Sequence, residues 1–382
     1  VTRPRLLIVS FSTIVADARV LKQVRRFRDD LDVHTLGYGP APDGVVSHIR
    51  VPDTLPIWRY DRAAVMLRRY RWAYWNNAAI AFASAALKDS RWDVVLANDV
   101  DAVGLALAQH SEQGVHVDLH EYAPRQKEDV LKWRLFVAPF VRWMCREFVL
   151  RADSVTTLGQ GIADEYQRVY GIRAEVVTNA APYHALEATT VSNPIRLVHS
   201  GACLRDRNLM LMAKAAMATD VDVTLDFFLT PNDPTHLVEL KSFAATTDGR
   251  VRVHDPVPYD QLIRTLNRYD VGVFLLPPVN FNYRWALPNK FFDFVQARLG
   301  VVIGPSPEMA RVLDARGFGA VAEEFSADAL TRVLNTLSAG LVATWKQAAD
   351  AAAPELSGES ETEVWARAID RLLSVQARGE QP

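Results

Sequence analysis

Short apolar runs alternate with longer amphipathic stretches along this chain, and the alternation is regular enough to predict its elements. Residues 5–10 and 33–36 are compact apolar runs that read as strands, with an amphipathic helix over 18–30 between them. The βαβ rhythm continues through strands at 93–97, 115–119 and 152–158, a helix over 162–170 and an apolar pair at 176–177. Beyond residues 183–194, where small and polar residues replace the periodic pattern, a second series begins. It predicts strands at 195–199, 223–228, 251–253, 271–276 and 300–303, and helices from residue 209, over 259–267 and over 328–337. Segment 363–373 is amphipathic and predicts a helix packed back on the body, with frayed residues after it. The expected fold class is α/β with two parallel-sheet domains: an N-terminal domain over 1–183, a linker over 184–194, a C-terminal domain over 195–350 and a helical tail over 351–382.

Two stretches differ in character. In 57–86, Trp58, Tyr60, Tyr70, Trp72, Tyr74 and Trp75 are interleaved with Arg59, Arg62, Arg68, Arg69 and Arg71, opposed by Asp61. The pattern predicts a long helix with aromatic and basic faces, which can pack on its own domain, touch an anionic membrane surface or receive an acidic acceptor. Residues 131–150 form a second aromatic and basic helical stretch, interrupted by Pro139.

Composition narrows the class. At 382 residues the chain is long enough for roughly two domains with their own cores. Its 43 Lys and Arg nearly balance 45 Asp and Glu, and no recognition motif accompanies them, which argues against a nucleic-acid partner. No stretch is long and apolar enough for a membrane span, and the first residues run directly into a strand without a signal-peptide pattern. Cys145 and Cys203 have no metal-ligand spacing and read as buried thiols in a reducing compartment. A cytoplasmic location is expected, with the inner face of the membrane as the surface such a protein would meet. Val1, read as a translated start, fits a GTG codon and a bacterial gene.

The chemistry gathers where strands end. In a parallel doubly wound sheet, ligands sit at the carboxyl edge. The loop after the first strand carries Asp17, a candidate helix cap, and Arg19, either solvated or facing a substrate. The strand at 93–97 runs into Asn98, Asp99 and Asp101, and that at 115–119 into His120 and Glu121, so these groups converge on one edge. HEYAP is not a zinc motif, because no second histidine follows at the required spacing. GYG at 37–39 and GQG at 159–161 lack the third glycine of a dinucleotide fingerprint, and there is no P-loop. In the second series, Gly201 lets a ligand approach the backbone, and Arg205 and Arg207 can neutralise phosphates. Segment 282–300 lies between two strands. Pro288 suits the first turn of a helix whose amides face an anion, Phe291, Phe292 and Val295 form a buried face, and Lys290 and Asp293 are polar at the same helix start. It reads either as a surface helix with an i, i+3 ion pair or as a phosphate and ribose site.

LPNKFFDFVQARLGVVI resembles the donor-site signature of retaining glycosyltransferases of the GT-B fold, family-4 type, whose common form is P-x-K-x-x-E-Y-x-x-x-G-x-P-V-I. Asn282, Tyr283 and Leu287 match a subset with NY-x-x-x-LPNK. DARVLKQVRRF, DLHEYAP, ADSVTTLGQGIADEYQRVYG, VVTNAAP and HSG follow the family's order of elements, so the resemblance covers nearly the whole chain. It implies two Rossmann-like domains facing across a cleft and transfer of a sugar, with retention, from a nucleoside diphosphate sugar to an acceptor hydroxyl. That activity would be of hexosyltransferase type, in bacterial polysaccharide or glycolipid assembly. It implies a UDP-sugar as the donor, a glycan or lipid-linked acceptor, peripheral membrane contact, and no cofactor or divalent metal.

By the same resemblance, Asp293 stands where the family has its ribose-binding glutamate. Lys290, Arg207 and the helix start at Pro288 and Asn289 face the pyrophosphate, Gly201 admits the donor, and His120 lies near the transferred sugar. Asp17, Arg19, Asn98, Asp99 and Glu121 fall on the acceptor side. Asp99-Val100-Asp101 matches a DxD motif only in its letters. The chain departs from the pattern at Trp285, which replaces the family's first glutamate, and at Ala202, which replaces an arginine for which Arg205 would stand in. Asn282 and Tyr283 would then take over part of the sugar contact. A non-hydrolysing nucleotide-sugar epimerase and a catalytically silent donor-binding scaffold remain as alternatives; an NAD-dependent oxidoreductase ranks last.

Overall fold

Arg5–Thr13 (β1) is apolar and buried along most of its length because it is a central strand with both faces covered. The structure, a computed structural model, describes residues 3–375. β1 pairs in parallel with Asp32–Tyr38 (β2) on one side and Val94–Asn98 (β4) on the other. Ser47–Arg50 (β3), Gly114–Leu119 (β5), Ser154–Thr157 (β6) and Glu175–Val176 (β7) complete a seven-stranded sheet ordered β3-β2-β1-β4-β5-β6-β7. The second sheet takes the same winding from Ile195–Ala202 (β8), Val223–Thr230 (β9), Val251–His254 (β10), Val271–Phe274 (β11), Gly300–Ile303 (β12) and Gly319–Val321 (β13), ordered β10-β9-β8-β11-β12-β13. All recorded pairings are parallel. The strand order reverses direction beside β1 and β4 in one sheet and beside β8 and β11 in the other, which fixes where each sheet opens for a ligand. The α/β class and the two Rossmann-like sheets are as expected; β3 and β13 are additions.

The chain forms two compact units. The first runs to Thr178 and also takes Asn280–Asn282 and the chain from Glu361; the second comprises Asn179–Val279 and Tyr283–Ser360. The segment expected to be a linker is built into the second unit. His184 N donates to Gln296 Oε1 at 3.1 Å, Arg298 Nη2 donates to His184 O at 2.8 Å, and Ser192 N lies 3.3 Å from both Asp270 carboxylate oxygens. Its irregular backbone thus exchanges solvent for fixed partners.

The tail is two helices, Ala339–Ala352 and Gly358–Val375. Trp365, Ile369 and Leu372 of the second enter the core of the first unit beside Leu6, Ile8, Val20 and Val24. Burying each such side chain contributes roughly 1.5–3 kcal/mol, so the last helix is part of that core. The frayed end expected after it lies outside the described residues. Among the described residues no helix is long and apolar enough to cross a membrane.

The single helix expected over 57–86 is three: Arg62–Met66, Tyr70–Trp75 and Ala78–Leu87. Arg68 adopts a left-handed φ of 55° at the first break, and Asn77 caps the third helix by accepting from Ala79 N and Ile80 N. The interruption expected at Pro139 is a change of helix type: Trp133–Val137 is a π-helical turn and regular α-helix starts at Ala138. Pro139 sits in the first turn of Ala138–Glu147, where a proline costs no hydrogen bond.

Candidate functional site

In the second unit, the helix Asn289–Gln296 is anchored by Phe291, Phe292, Phe294 and Val295, all buried. A Cβ at Gly272 of β11 would stand 2.4 Å from the Phe294 ring, so a glycine there is what lets the helix lie against the strand. Pro288 is the residue just before the helix rather than its first turn, and no side chain caps the start, which leaves its first amides open to an anion. Lys290 projects from this start toward the end of β8. A Cβ at Gly201 would lie 2.9 Å from Lys290 Nζ, and Gly201 has φ +133°, a conformation that side chains rarely adopt.

Lys290 Nζ lies 3.1 Å from His199 Nε2 and 4.4 Å from the Phe274 ring centroid. His199 Nδ1 donates to Val273 O at 2.8 Å, so Nε2 carries the lone pair that meets the lysine. Burial, reinforced by the Arg207 charge and only partly offset by Asp293, pulls the Lys290 ammonium down to about 7. Arg207 rests 4.9 Å over the Tyr283 ring, and its Nη2 donates to Tyr283 Oη at 3.1 Å; Tyr283 Oη donates to Asp206 at 3.2 Å. Two cations, a glycine of positive φ and a helix start without a side-chain cap thus lie together at the edge where the strand order reverses, the arrangement of a candidate anion site. Asp293 is buried below it, with the Tyr259 hydroxyl 3.5 Å from its Oδ1.

Other donor-side expectations fare differently. Arg205 is held by Glu239 at 2.8 and 3.0 Å and faces Asp233 at 3.4 Å, so its charge is already paired away from Lys290. Leu287 is a core side chain. Asn289 is exposed at the helix start. Asn282 belongs to the first unit, where its Oδ1 accepts from Tyr122 N at 2.9 Å and its Nδ2 donates to Glu121 Oε2 at 3.0 Å. Its amide is thus used to hold the backbone after His120.

In the first unit, the strand ends converge as expected, but around a buried carboxylate that the sequence reading passed over. Asp118 accepts from Arg19 Nε at 2.6 Å, Arg19 Nη2 at 2.7 Å, Gln23 Nε2 at 2.9 Å and Thr156 Oγ1 at 2.7 Å. Arg19 also donates to Val177 O at 2.9 Å and stacks 4.7 Å over the Trp365 ring. It is therefore neither solvated nor turned to a substrate: it is 4 % exposed and ties β5 to the last helix. Asp17 caps the helix Ala18–Phe27 by accepting from Arg19 N and Val20 N. The available signal was an acidic residue, Asp118, inside a strand-like run with alternating valines.

His120 sits beside this network. Its Nε2 lies 3.1 Å from Asn98 Oδ1 and 3.5 Å from Asp118 Oδ2, and its Nδ1 lies 3.3 Å from Asp99 Oδ2. Burial alone would lower the imidazole's proton affinity, but Asp99 and Asp118 outweigh it and raise the pKa above the ordinary value. With both nitrogens facing oxygens, the ring is set up as a cationic donor. Asp99 holds φ +63°, unusual for a non-glycine residue, and its Oδ1 accepts from His120 N at 3.0 Å. Burial and the Asp99 charge push the Glu121 carboxyl up to about 7. Cys145 and Cys203 are buried free thiols, as expected.

No protein-family model and no curated protein matches the chain. Solved structures do match it along its whole length. HepE of Anabaena in complex with UDP shares 12 % identity over 97 % of this chain and 100 % of its own, with a TM-score of 0.70. A glycosyltransferase from Rickettsia africae shares 11 % over 98 % and 99 % at 0.70, and sucrose-phosphate synthase from Thermosynechococcus elongatus shares 13 % over 97 % and 100 % at 0.67. This likeness defines the fold: the chain has the two-domain α/β architecture of GT-B proteins.

Proposed function

We propose that this protein is a glycosyltransferase that takes a sugar from a nucleoside diphosphate sugar and passes it to an acceptor hydroxyl. The observation that carries the reading is the pair Lys290 and Arg207 beside Gly201, a cationic site of diphosphate character at the sheet's switch point. The structural neighbours support the donor class, since HepE is described with UDP and with UDP-glucose, and an Escherichia coli trehalose-6-phosphate enzyme with UDP-2-fluoro glucose. A UDP-sugar is accordingly the donor proposed here.

In this reading Lys290, Arg207 and the helix amides at Asn289 and Lys290 hold the pyrophosphate. They bind it more strongly as the sugar departs and negative charge grows on the leaving oxygen. These groups supply the charge stabilisation, so the proposed reaction calls for no metal or other cofactor. Asp293 receives the ribose hydroxyls, with Tyr259 steadying the carboxylate. The reaction proceeds with retention, the departing phosphate accepting the proton of the attacking hydroxyl. The first unit supplies His120, Asp99 and Glu121 as the groups assigned to the sugar and acceptor hydroxyls, and none of them is required as a general base. The acceptor is a glycan or lipid-linked saccharide of bacterial surface polymers, glycosylated on the cytoplasmic side.

Incubating the enzyme with UDP-glucose and other nucleotide sugars, with and without candidate acceptors, tests the proposal by release of nucleoside diphosphate. Release that Lys290→Met abolishes is the expected result. No release from any donor, or interconversion of the free nucleotide sugar to its epimer, would contradict it.

A further inference from the structure

The two aromatic and basic stretches of the first unit come together in space. Tyr60 and Tyr70 pack on Phe140 with ring centroids 4.8 and 5.5 Å apart, and Tyr70 also meets Trp143 at 5.9 Å. Between these stretches lies an open groove of about 710 Å³. Trp58, Met66 and Phe136 line it, yet they stay 71 %, 58 % and 40 % exposed. Leu67, Trp72, Leu131 and Leu135, on the same stretches, are also exposed. The lining includes three cations, Arg59, Arg62 and Lys132, none of which forms an ion pair among the described residues. A chain with a net charge of −2 thus places three cations without ion pairs among the described residues beside a cluster of exposed apolar side chains. Folding alone does not account for that combination: exposed aromatic side chains gain nothing from water, and unpaired arginines set beside them suit a phosphate-bearing apolar phase.

We propose that this groove is the docking surface for an anionic lipid bilayer. Trp58, Met66 and Phe136 enter the acyl region, while Arg59, Arg62 and Lys132 pair with lipid phosphates at the headgroup level. Charge complementarity selects this occupant over a second copy of the chain, which would bring the same cations face to face. The groove also connects to the acceptor-side cluster. Tyr60, in its wall, donates to Asp101 Oδ1 at 2.6 Å, and Asp101 lies two residues from the Asp99 that meets His120. A protein seated this way would present that cluster to saccharides carried on membrane lipids. The docking itself goes beyond the proposed activity and does not depend on it.

The test is flotation of the full chain with vesicles of phosphatidylglycerol and of phosphatidylcholine, at low and high salt. The wild type is expected to float with phosphatidylglycerol vesicles at low salt, to be released at high salt, and to stay behind with phosphatidylcholine. The pairs Arg59→Glu with Arg62→Glu and Trp58→Ser with Phe136→Ser are each expected to lower the bound fraction about tenfold or more. Circular dichroism and UDP binding check that each variant is folded. Failure of the wild type to float, equal flotation with both lipids, or variants that float as the wild type does would overturn the proposal. So would a dimer that the variants make monomeric, because a second copy would then be the occupant. UDP binding is read separately, so loss of flotation with binding retained leaves the proposed activity untouched.

Discussion

Lys290 points its amine at the lone pair of His199, 3.1 Å away, with no carboxylate in an ion pair with it among the described residues. A half-buried lysine so placed is costly to the free protein and suited to receive an anion.

Binding of a nucleotide sugar should therefore take up a proton. Burial first, then Arg207, holds free Lys290 at about 7; a bound pyrophosphate stabilises the ammonium and raises that value. Calorimetry at pH 8 in buffers of different ionisation enthalpy should show uptake of close to one proton, absent in Lys290→Met. The sign for stability is opposite to that of an ordinary lysine partnership. Between about pH 7 and the unfolded value of about 10.4 the unfolded chain binds more protons, so the free protein gains stability as pH rises through that window. Lys290→Met should melt higher than the wild type at pH 7 while binding no nucleotide.

Arg205 and Arg207 stand two residues apart in one loop and should behave differently. Arg207→Ala removes a charge-assisted contact worth about 1.5–3 kcal/mol and should weaken nucleotide binding roughly 10- to 100-fold. Arg205→Ala breaks an exposed pairing with Glu239 and should change affinity less than about twofold. Titration calorimetry with UDP checks both.

Legibility in the sequence followed the same line. The run from Pro288 to Asp293 was readable as an anion-friendly helix start with a nearby acid because helix start, cation and acid are adjacent in the chain. Choosing between Arg205 and Arg207 was not, because Glu239 and Asp233, which take Arg205, come from elsewhere in the sequence. Arg19 misled for the same reason, since its partner Asp118 is 99 residues away. The succession of most strands and the parallel-sheet class could be read from apolar runs, whereas the strand order within each sheet could not, because it depends on which strands pair. The breaks in 57–86 were visible in principle: Asp61 and Asn77 are capping residue types, and each caps a helix. The aromatic pattern outweighed them.

Asp99→Asn should lower the pKa of two neighbouring groups together. Asp99 helps raise His120, so the substitution should lower the histidine's pKa. It also helps raise Glu121, second to burial, so the glutamate should fall from about 7. For His120 the raised folded value means a stabilising contribution fully present below about pH 6.5 and lost as pH rises through the folded value. NMR titration of the His120 ring protons and the Glu121 side-chain carboxyl carbon checks both shifts.

Asp118→Ala should destabilise the protein by roughly 3–5 kcal/mol, because it leaves Arg19 buried without its partner. Burial taken alone would raise the Asp118 carboxyl, but Arg19 and His120 overcome it and hold it well below the ordinary range. Its contribution is therefore present above about pH 4 and disappears as pH falls through the folded value. Urea denaturation at pH 7 and pH 3 should show a large wild-type to variant difference at the first and a smaller one at the second.

The most direct measurement of the central claim is thermal stabilisation by UDP, GDP, ADP, dTDP and their sugars in the wild type, Lys290→Met and Asp293→Ala. A shift produced by one nucleoside diphosphate and its sugar, and lost in both variants, is the predicted result. No shift from any nucleotide, or a shift that persists undiminished in both variants, would contradict the assignment of the donor site.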